Sequence, residues 1–135
     1  MNKAEFVYSE ELLKYRFSQE HPFNQYRLKI TLDLLQKSNL IEEHHIIPPR
    51  IATDEELQLV HDPNYVQAVR LAGQGLLSNE QAENYGLGTE DTPMFPNMHE
   101  ASALLVGGTL TAVDQVMTGQ TQHALHIGGG LHHGF

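Results

Sequence analysis

The sequence predicts an α/β fold in which helices are layered on short strands. Apolar residues recur at helical spacing in several stretches, and short extended segments lie between these stretches. Helices that alternate with short strands favour a layered α/β architecture. In sheets of this kind ligands bind beyond the carboxyl ends of the strands, so we expect any site to lie there.

Three segments are predicted to be extended. Phe6–Ser9 has the pattern of a short strand, and residues 46–47 precede two prolines, which disfavour the helical conformation in the preceding residue. The third is His123–Ile127, which leads directly into Gly128–Gly130. The glycine-rich stretch therefore occupies the carboxyl end of a predicted strand, where a site is expected.

The first predicted helix runs from about Asn24 to Ser38. Leu28, Leu32 and Leu35 fall on one face at helical spacing, and Ile30 and Leu34 are expected to widen that face.

Two helix starts follow, each with a capping signal. Thr53 and Glu56 fit a capping box, and Asp62 stands before Pro63 at a predicted first helical position. The second of these helices is expected to end at Gly73. Residues 73–96 are predicted to be a loop, long enough to suggest a functional role.

The last predicted helix opens at Asn97, with Glu100 completing a second capping box, and ends at Gly119. Adjacent glycines at 107 and 108 weaken a helix, so we expect close packing there. The predicted apolar face comprises Ala101, Leu104, Leu105, Gly108, Ala112, Val113 and Val116.

The composition narrows the functional class. The 135 residues are enough for one domain or part of a larger one, and the net charge of −9 argues against a nucleic-acid partner, because nucleic-acid binding needs basic surface. The absence of cysteine removes disulfides and thiolate chemistry. No stretch is suitable for a signal peptide or a membrane span, so we expect a cytoplasmic protein.

The adjacent histidines His132 and His133 are the first candidate for chemistry. The three preceding glycines allow the backbone to bend, so both rings can face one pocket, where one acts as base while the other carries a proton. From these residues alone, an exposed tail remains an equal alternative. His44 and His45 are interpreted as a solvated surface pair, and no full set of metal ligands is visible.

Asp91 and Arg27 are the remaining candidates, although neither stands out unaided. Asp91 precedes Thr-Pro and suits an ordinary turn, and Arg27 suits an exposed position on its helix. The glycine stretch lacks the Lys-Ser/Thr of a phosphate-binding loop and the spacing of a dinucleotide fingerprint.

Taken together, however, the motifs HPFNQ, YGLGTEDTP, LLVGGTLTAVD and GGGLHHGF resemble the amino-terminal part of the zinc-dependent histone deacetylase family, and the resemblance covers essentially the whole chain. It implies an arginase/deacetylase fold, a parallel sheet flanked by helices, of which residues 1–135 would be the incomplete amino-terminal segment of a single domain.

The resemblance also implies roles for the candidate residues. His133 would be the general base and acid, and His132 its buried electrostatic partner. Asp91 would hold backbone amides of an acetyl-lysine substrate at the rim. Arg27 would handle released acetate in an inner channel, which Gly129 and Gly130 would line.

The family's zinc ligands and its carbonyl-polarising tyrosine would lie beyond residue 135, so we expect zinc in the parent protein and no metal ligand or activity in this chain. The expected substrate is an acetylated lysine of a protein, such as a metabolic enzyme, with no nucleic acid or membrane involved. The alternatives are a truncated, non-enzymatic folding or interaction module, or a parent that acts on acetylpolyamines or small amides. Exposed sheet edge and apolar surface would allow self-association.

Overall fold

The computed structural model describes residues 2–130, with only the backbone at residues 2 and 3. A three-stranded parallel sheet lies at its centre, in the order β2-β1-β3. The strands are β1 (Asn2–Val7), β2 (Ile46–Ile47) and β3 (Thr121–Leu125). Helices connect the parallel strands, so the α/β prediction is confirmed.

Two of the predicted strands are shifted along the sequence. The first begins at Asn2 and ends at Val7, because Ser9 instead caps a 3-10 helix at Glu10–Lys14 and accepts a hydrogen bond from the amide of Glu11. The third lies two residues earlier than expected, because it pairs with β1 from Asn2 opposite Thr121 to Phe6 opposite Leu125.

Five α-helices and a second 3-10 helix complete the described residues. The helices are α1 (Tyr26–Lys37), α2 (Asp54–Leu57), α3 (Pro63–Gly73), α4 (Asn79–Glu83) and α5 (Met98–Met117), and the second 3-10 helix is Glu43–His45. Helix α4 lies inside the segment predicted to be a loop. It begins with a capping box between Ser78 and Gln81 that the sequence analysis did not identify.

Helix α1 buries a narrower face than predicted. Leu28 and Leu32 are buried and Leu35 packs against the core, as expected. Ile30 and Leu34 are 57% and 64% exposed, so the prediction that they widen this face was wrong. Residues two apart on a helix do not share a face, and Ile30 lies two positions from both Leu28 and Leu32.

The caps at 53 and 62 form as predicted. The Thr53 hydroxyl accepts from the amide of Glu56 at 3.2 Å, while the Glu56 carboxylate accepts from the amide of Thr53 at 2.8 Å. The Asp62 carboxylate accepts from the amide of Asn64 at 2.8 Å. Helix α3 ends at Gly73, which is its last helical residue.

The capping box predicted at the start of α5 is absent. Asn97 is the N-cap residue, but it has φ 57° in the left-handed region, and its side chain makes no capping hydrogen bond. Its amide instead donates to the carbonyl of Gly73 at 3.1 Å. The start of α5 is therefore set by contact with the end of α3.

Helix α5 packs its glycines against its neighbours, as the sequence predicted. A Cβ at Gly107 would meet the backbone of Arg50 and Ala52, and one at Gly108 would meet the ring of His126. The buried face is rotated away from the predicted one, since Val113 and Val116 are exposed. Buried residues of α5 include Ala101, Ala103, Leu105, Gly107, Gly108 and Thr111.

The core lies around β1, where Phe6 and Val7 are almost completely buried. Because successive strand residues point to opposite faces, burial of both shows that the sheet is covered on its two sides. The main cluster comprises Phe6, Tyr8, Leu12, Tyr15, Leu28, Leu32, Ala72, Ala82, Leu87, Phe95, Met98, Ala101 and Leu105. Within residues 2–130, no helix has the combination of length and apolar content needed to cross a membrane.

Candidate active site

A cavity of about 670 Å³ lies beside the glycine-rich segment at the end of β3. Gly128–Gly130 form part of its wall. Helices α3 and α5 and the loop between α4 and α5 supply most of the rest, with side chains that are mostly apolar or aromatic, and Tyr15, Phe17, Leu57 and His61 complete it. Polar groups at the cavity include His61, Tyr65, Tyr85, Thr92, His99, Ser102 and Thr109. The expectation that a site lies beyond the carboxyl end of a strand agrees with this position.

The backbone of the glycine-rich segment is held from the amino-terminal end of α1. The Gln25 side-chain amide donates from Nε2 to the carbonyl of Gly129 at 3.0 Å. The Arg27 guanidinium donates from Nη1 to the carbonyl of Ile127 at 3.3 Å. Residues about one hundred positions apart in the sequence are thereby brought together at one wall of the cavity.

The ring of His126 is enclosed on the side of α5. Alanine-like Cβ atoms at Gly108 and Gly128 would lie 2.6 Å and 3.1 Å, respectively, from its Cε1, so both positions need glycine for this packing. Its Nδ1 lies 3.2 Å from the Thr109 hydroxyl, and its Nε2 is buried without a hydrogen-bond partner in the part of the chain that the structure describes. Burial lowers the pKa of His126, so the ring is held in its neutral form.

Arg27 lies next to the glycine-rich segment but is exposed in this chain. Its guanidinium carbon lies 5.3 Å from the centre of the Phe23 ring, a distance suited to a cation–π contact. Arg27 is one of the residues predicted to form an inner channel. Its hydrogen bond to the Ile127 carbonyl places it beside the segment that contains Gly129. Gly129 and Gly130 also line the cavity.

Asp91 lies on an exposed loop, next to Thr92, which lines the cavity. The loop is closed by hydrogen bonds from the Thr92 hydroxyl to the Gly86 carbonyl at 2.8 Å and from the Gly88 amide to the Thr92 carbonyl at 2.9 Å. Thr89 adds a hydroxyl contact to Thr92 at 2.7 Å. Among the described residues the Asp91 carboxylate has no hydrogen-bond or ion-pair partner, so it is free to accept from a ligand.

His132 and His133, the proposed catalytic pair, lie outside the described residues. Gly130, two positions before His132, is the last described residue and lines the cavity. Their predicted roles therefore remain predictions.

A polar cluster of Asp54, Arg70 and His99, of which His99 is buried and lines the cavity, was not predicted from the sequence. His99 is 6% exposed and places Nε2 3.0 Å from Asp54 Oδ1, and Arg70 donates to Asp54 Oδ2 at 2.5 Å. Burial acts to raise the pKa of Asp54, but the hydrogen bonds and charges of Arg70 and His99 outweigh it and lower that pKa. The capping box at Thr53 placed Asp54 at the start of α2, but no local pattern links it to α3 and α5.

The described residues do not supply a metal site. Within residues 2–130 no three or more histidine, aspartate or glutamate side chains are grouped so that they could hold an ion. The predicted surface pair, His44 and His45, belongs to the second 3-10 helix, where the His45 ring accepts from the amide of Glu42 at 3.1 Å. His44 is exposed, as expected.

Comparison with known proteins places this architecture in a family. Residues 21–135 match the model of the histone deacetylase domain. The chain is 58% identical to the acetoin utilization protein AcuC of Bacillus subtilis over 135 residues, which are all of this chain and 35% of that protein. It is 54% identical to AcuC of Staphylococcus xylosus over 128 residues, covering 95% of this chain and 33% of that protein.

Solved structures agree with the sequence matches. The crystal structure of a histone deacetylase homologue from Aquifex aeolicus superposes with a TM-score of 0.85 at 30% identity, over 99% of this chain and 36% of that one. The predicted arginase/deacetylase fold is thereby confirmed, and the chain spans about a third of the length of the relatives it matches. The family match covers most of the sequence, and the chain belongs to the histone deacetylase family.

Proposed function

We propose that this chain is the amino-terminal part of a zinc-dependent protein lysine deacetylase of the acetoin-utilization type. The longer polypeptide, called the full-length protein below, would hydrolyse the amide of acetylated lysine side chains. One observation carries the proposal: the segment that leads directly to the histidine pair lines the same cavity as residues of the loop that contains Asp91. The match to the histone deacetylase domain supports amide hydrolysis as the reaction that this cavity would serve.

In this proposal the chain supplies substrate binding and proton transfer. Asp91 accepts hydrogen bonds from backbone amides of the substrate on the exposed loop beside Thr92, where its carboxylate is exposed. Amide hydrolysis requires that a water lose a proton and that the leaving amine gain one, and His133 performs both transfers. His132 stabilises the charge that His133 acquires.

Arg27 is assigned to the acetate that remains after the lysine leaves. A guanidinium carries five N–H donors. One nitrogen of Arg27 donates to the Ile127 carbonyl, which leaves further donors for a carboxylate. Gly129 and Gly130 have no side chain, so they leave room beside the cavity for a small product.

Zinc does not fit the described residues of this chain, which contain no suitable group of ligands. The proposal therefore assigns the zinc ligands to residues outside this chain and derives no step through the ion. For the same reason we expect residues 1–135 alone to be inactive. Exposed apolar side chains on α1, including Ile30 and Leu34, support the expectation that the isolated chain self-associates.

The substrate class is tested with the full-length protein and three substrates: an acetyl-lysine peptide, an acetylpolyamine and a small acetylated amide. The proposal predicts acetate release that is most efficient, by kcat/KM, from the peptide, because Asp91 has backbone amides to bind only there. Preference for the acetylpolyamine or the small amide would replace this substrate assignment. Absence of acetate release from all three would refute the enzymatic proposal and favour a folding or interaction module.

A further inference from the structure

Local structure does not explain why a glutamine stands at position 25. It is the N-cap residue of α1, where serine, threonine, aspartate and asparagine are preferred because their short side chains bond the helix amides. The side chain of Gln25 makes no capping hydrogen bond. The backbone amide of Tyr26 instead donates a hydrogen bond to the side-chain oxygen of Asn24 at 2.9 Å.

The amide of Gln25 is used at the glycine-rich segment. The side chain is 1% exposed, and Nε2 donates to the carbonyl of Gly129. A peptide carbonyl only accepts, so this contact fixes which end of the amide faces Gly129. The other end, Oε1, is buried without a partner among the described residues. Burial of a carboxamide whose oxygen has no partner is costly, which indicates that the contact to Gly129 serves a purpose.

Within residues 2–130, open space lies on the side of Gly129 where a side chain would project. A Cβ at Gly129 would meet none of these residues within 4 Å, and one at Gly130 would meet the Tyr15 hydroxyl at 3.6 Å. Gly128, by contrast, is tightly packed between His126 and Leu105. The tight contacts seen at Gly128 are thus not repeated at Gly129 among the described residues, and there the Gln25 side chain holds the carbonyl by a hydrogen bond.

We infer that Gln25 is a positioning residue of this site, because its amide fixes the Gly129 carbonyl and thereby the backbone that enters the histidine pair three residues later. This inference rests on the proposed deacetylase function. Gln25 touches neither substrate nor the reacting atoms in this role, and it acts through His132 and His133. A displacement of about 1 Å of catalytic groups lowers rates by about a hundredfold, so loss of this hydrogen bond is expected to affect turnover.

The first test compares two variants of the full-length protein. Gln25→Met keeps the length of the side chain and removes the donor. The matched control, Thr111→Val, removes a buried hydroxyl that accepts from the Arg50 amide at 2.9 Å and donates to the Gly107 carbonyl at 2.8 Å, away from the cavity. We expect kcat to fall about tenfold or more for Gln25→Met, with KM changed less than about twofold, and to stay unchanged for Thr111→Val.

Hydrogen exchange of the same variants gives a readout that does not depend on activity. Amides that follow Ile127 should exchange faster in Gln25→Met than in wild type and remain unchanged in Thr111→Val. Wild-type kcat and exchange in Gln25→Met would overturn the inference, as would an equal loss of kcat in both variants. If wild type releases no acetate, the proposed function fails, and the exchange data still decide whether Gln25 orders the segment.

A third variant distinguishes positioning from bulk stability. Gln25→Glu presents a carboxylate, which only accepts, to the Gly129 carbonyl at neutral pH, so its kcat should fall below that of Gln25→Met. Protonation of the introduced carboxyl group in Gln25→Glu restores a donor. The kcat of Gln25→Glu divided by that of Gln25→Met should therefore rise as the pH is lowered. A ratio that does not change with pH would contradict the assignment.

Discussion

The substitution Gly107→Ala places a methyl group where α5 meets the backbone of residues 50–52. A Cβ at this position would lie 2.7 Å from the carbonyl carbon of Arg50 and 2.9 Å from the amide nitrogen of Ala52, and closer still to the carbonyl oxygen of Arg50. Every one of these atoms is backbone, so no flexible side chain can move aside. The helix and the segment must separate.

The expected cost follows from three contributions. Overpacking of this kind costs about 2 kcal/mol. Two hydrogen bonds cross the contact, from the Ala52 amide to the Ala103 carbonyl at 3.0 Å and from the Arg50 amide to the Thr111 hydroxyl at 2.9 Å. Their loss costs about 1 kcal/mol each. Alanine returns about 1 kcal/mol of helix propensity, so the free energy of unfolding should fall by about 3 kcal/mol.

Denaturant unfolding of the full-length protein, followed by circular dichroism, measures this change. Val113→Ala is the control, since Val113 is half exposed on the same helix and its loss should cost less than about 1 kcal/mol. A Gly107→Ala variant that is as stable as wild type, or more stable, would refute the reasoning, because helix propensity would then outweigh the contact.

Two further predictions concern pH. The Arg50 guanidinium and the capping amide of Thr53 lower the pKa of Glu56 to about 2, so Glu56 stabilises the fold above its unfolded value of 4.5 and loses this contribution as the pH falls towards 2. Denaturant midpoints of wild type and Glu56→Gln should therefore converge in that window, and a constant difference would contradict the pairing. Burial lowers the pKa of His126, so the unfolded chain binds a proton at this ring at a higher pH than the folded protein does, and stability should decline as the pH falls from 6.5 towards the lowered value. His126→Asn should reduce acid sensitivity below pH 6.5 in thermal melts, and an unchanged pH dependence would contradict this.

Features set by neighbouring residues were predictable from the sequence. The capping box of Thr53 with Glu56 and the cap of Asp62 before Pro63 formed as expected, because each needs only residues within one turn. The glycine pair in α5 also indicated close packing correctly, since its cost to the helix must be offset by something it permits.

Features set by tertiary contact were not predictable in the same way. β3 begins at Thr121 and ends at Leu125 because these residues pair with Asn2 and Phe6 of β1, and no local signal around Ile127 records that register. Asparagine is a residue type that often caps helices. At Asn97, however, the backbone amide donates to the Gly73 carbonyl, the backbone is left-handed, and the side chain makes no capping hydrogen bond.

The candidate site shows the same division. Gly129 and Gly130 line the cavity, and Asp91 is adjacent to Thr92, which also lines it, whereas the roles implied by the resemblance stay predictions. Gln25 and the cluster of His99 with Asp54 were missed, because their partners come from distant parts of the chain. Side chains of these types carry no signal until the fold brings them together.

The most direct test of the central claim is the turnover of His133→Phe in the full-length protein with an acetyl-lysine peptide. If His133 transfers the protons of amide hydrolysis, kcat should fall by about 10² to 10⁴, with bound zinc and KM close to wild type. Turnover within about twofold of wild type, with zinc still bound, would contradict the claim that this chain carries the proton-transfer groups of a deacetylase.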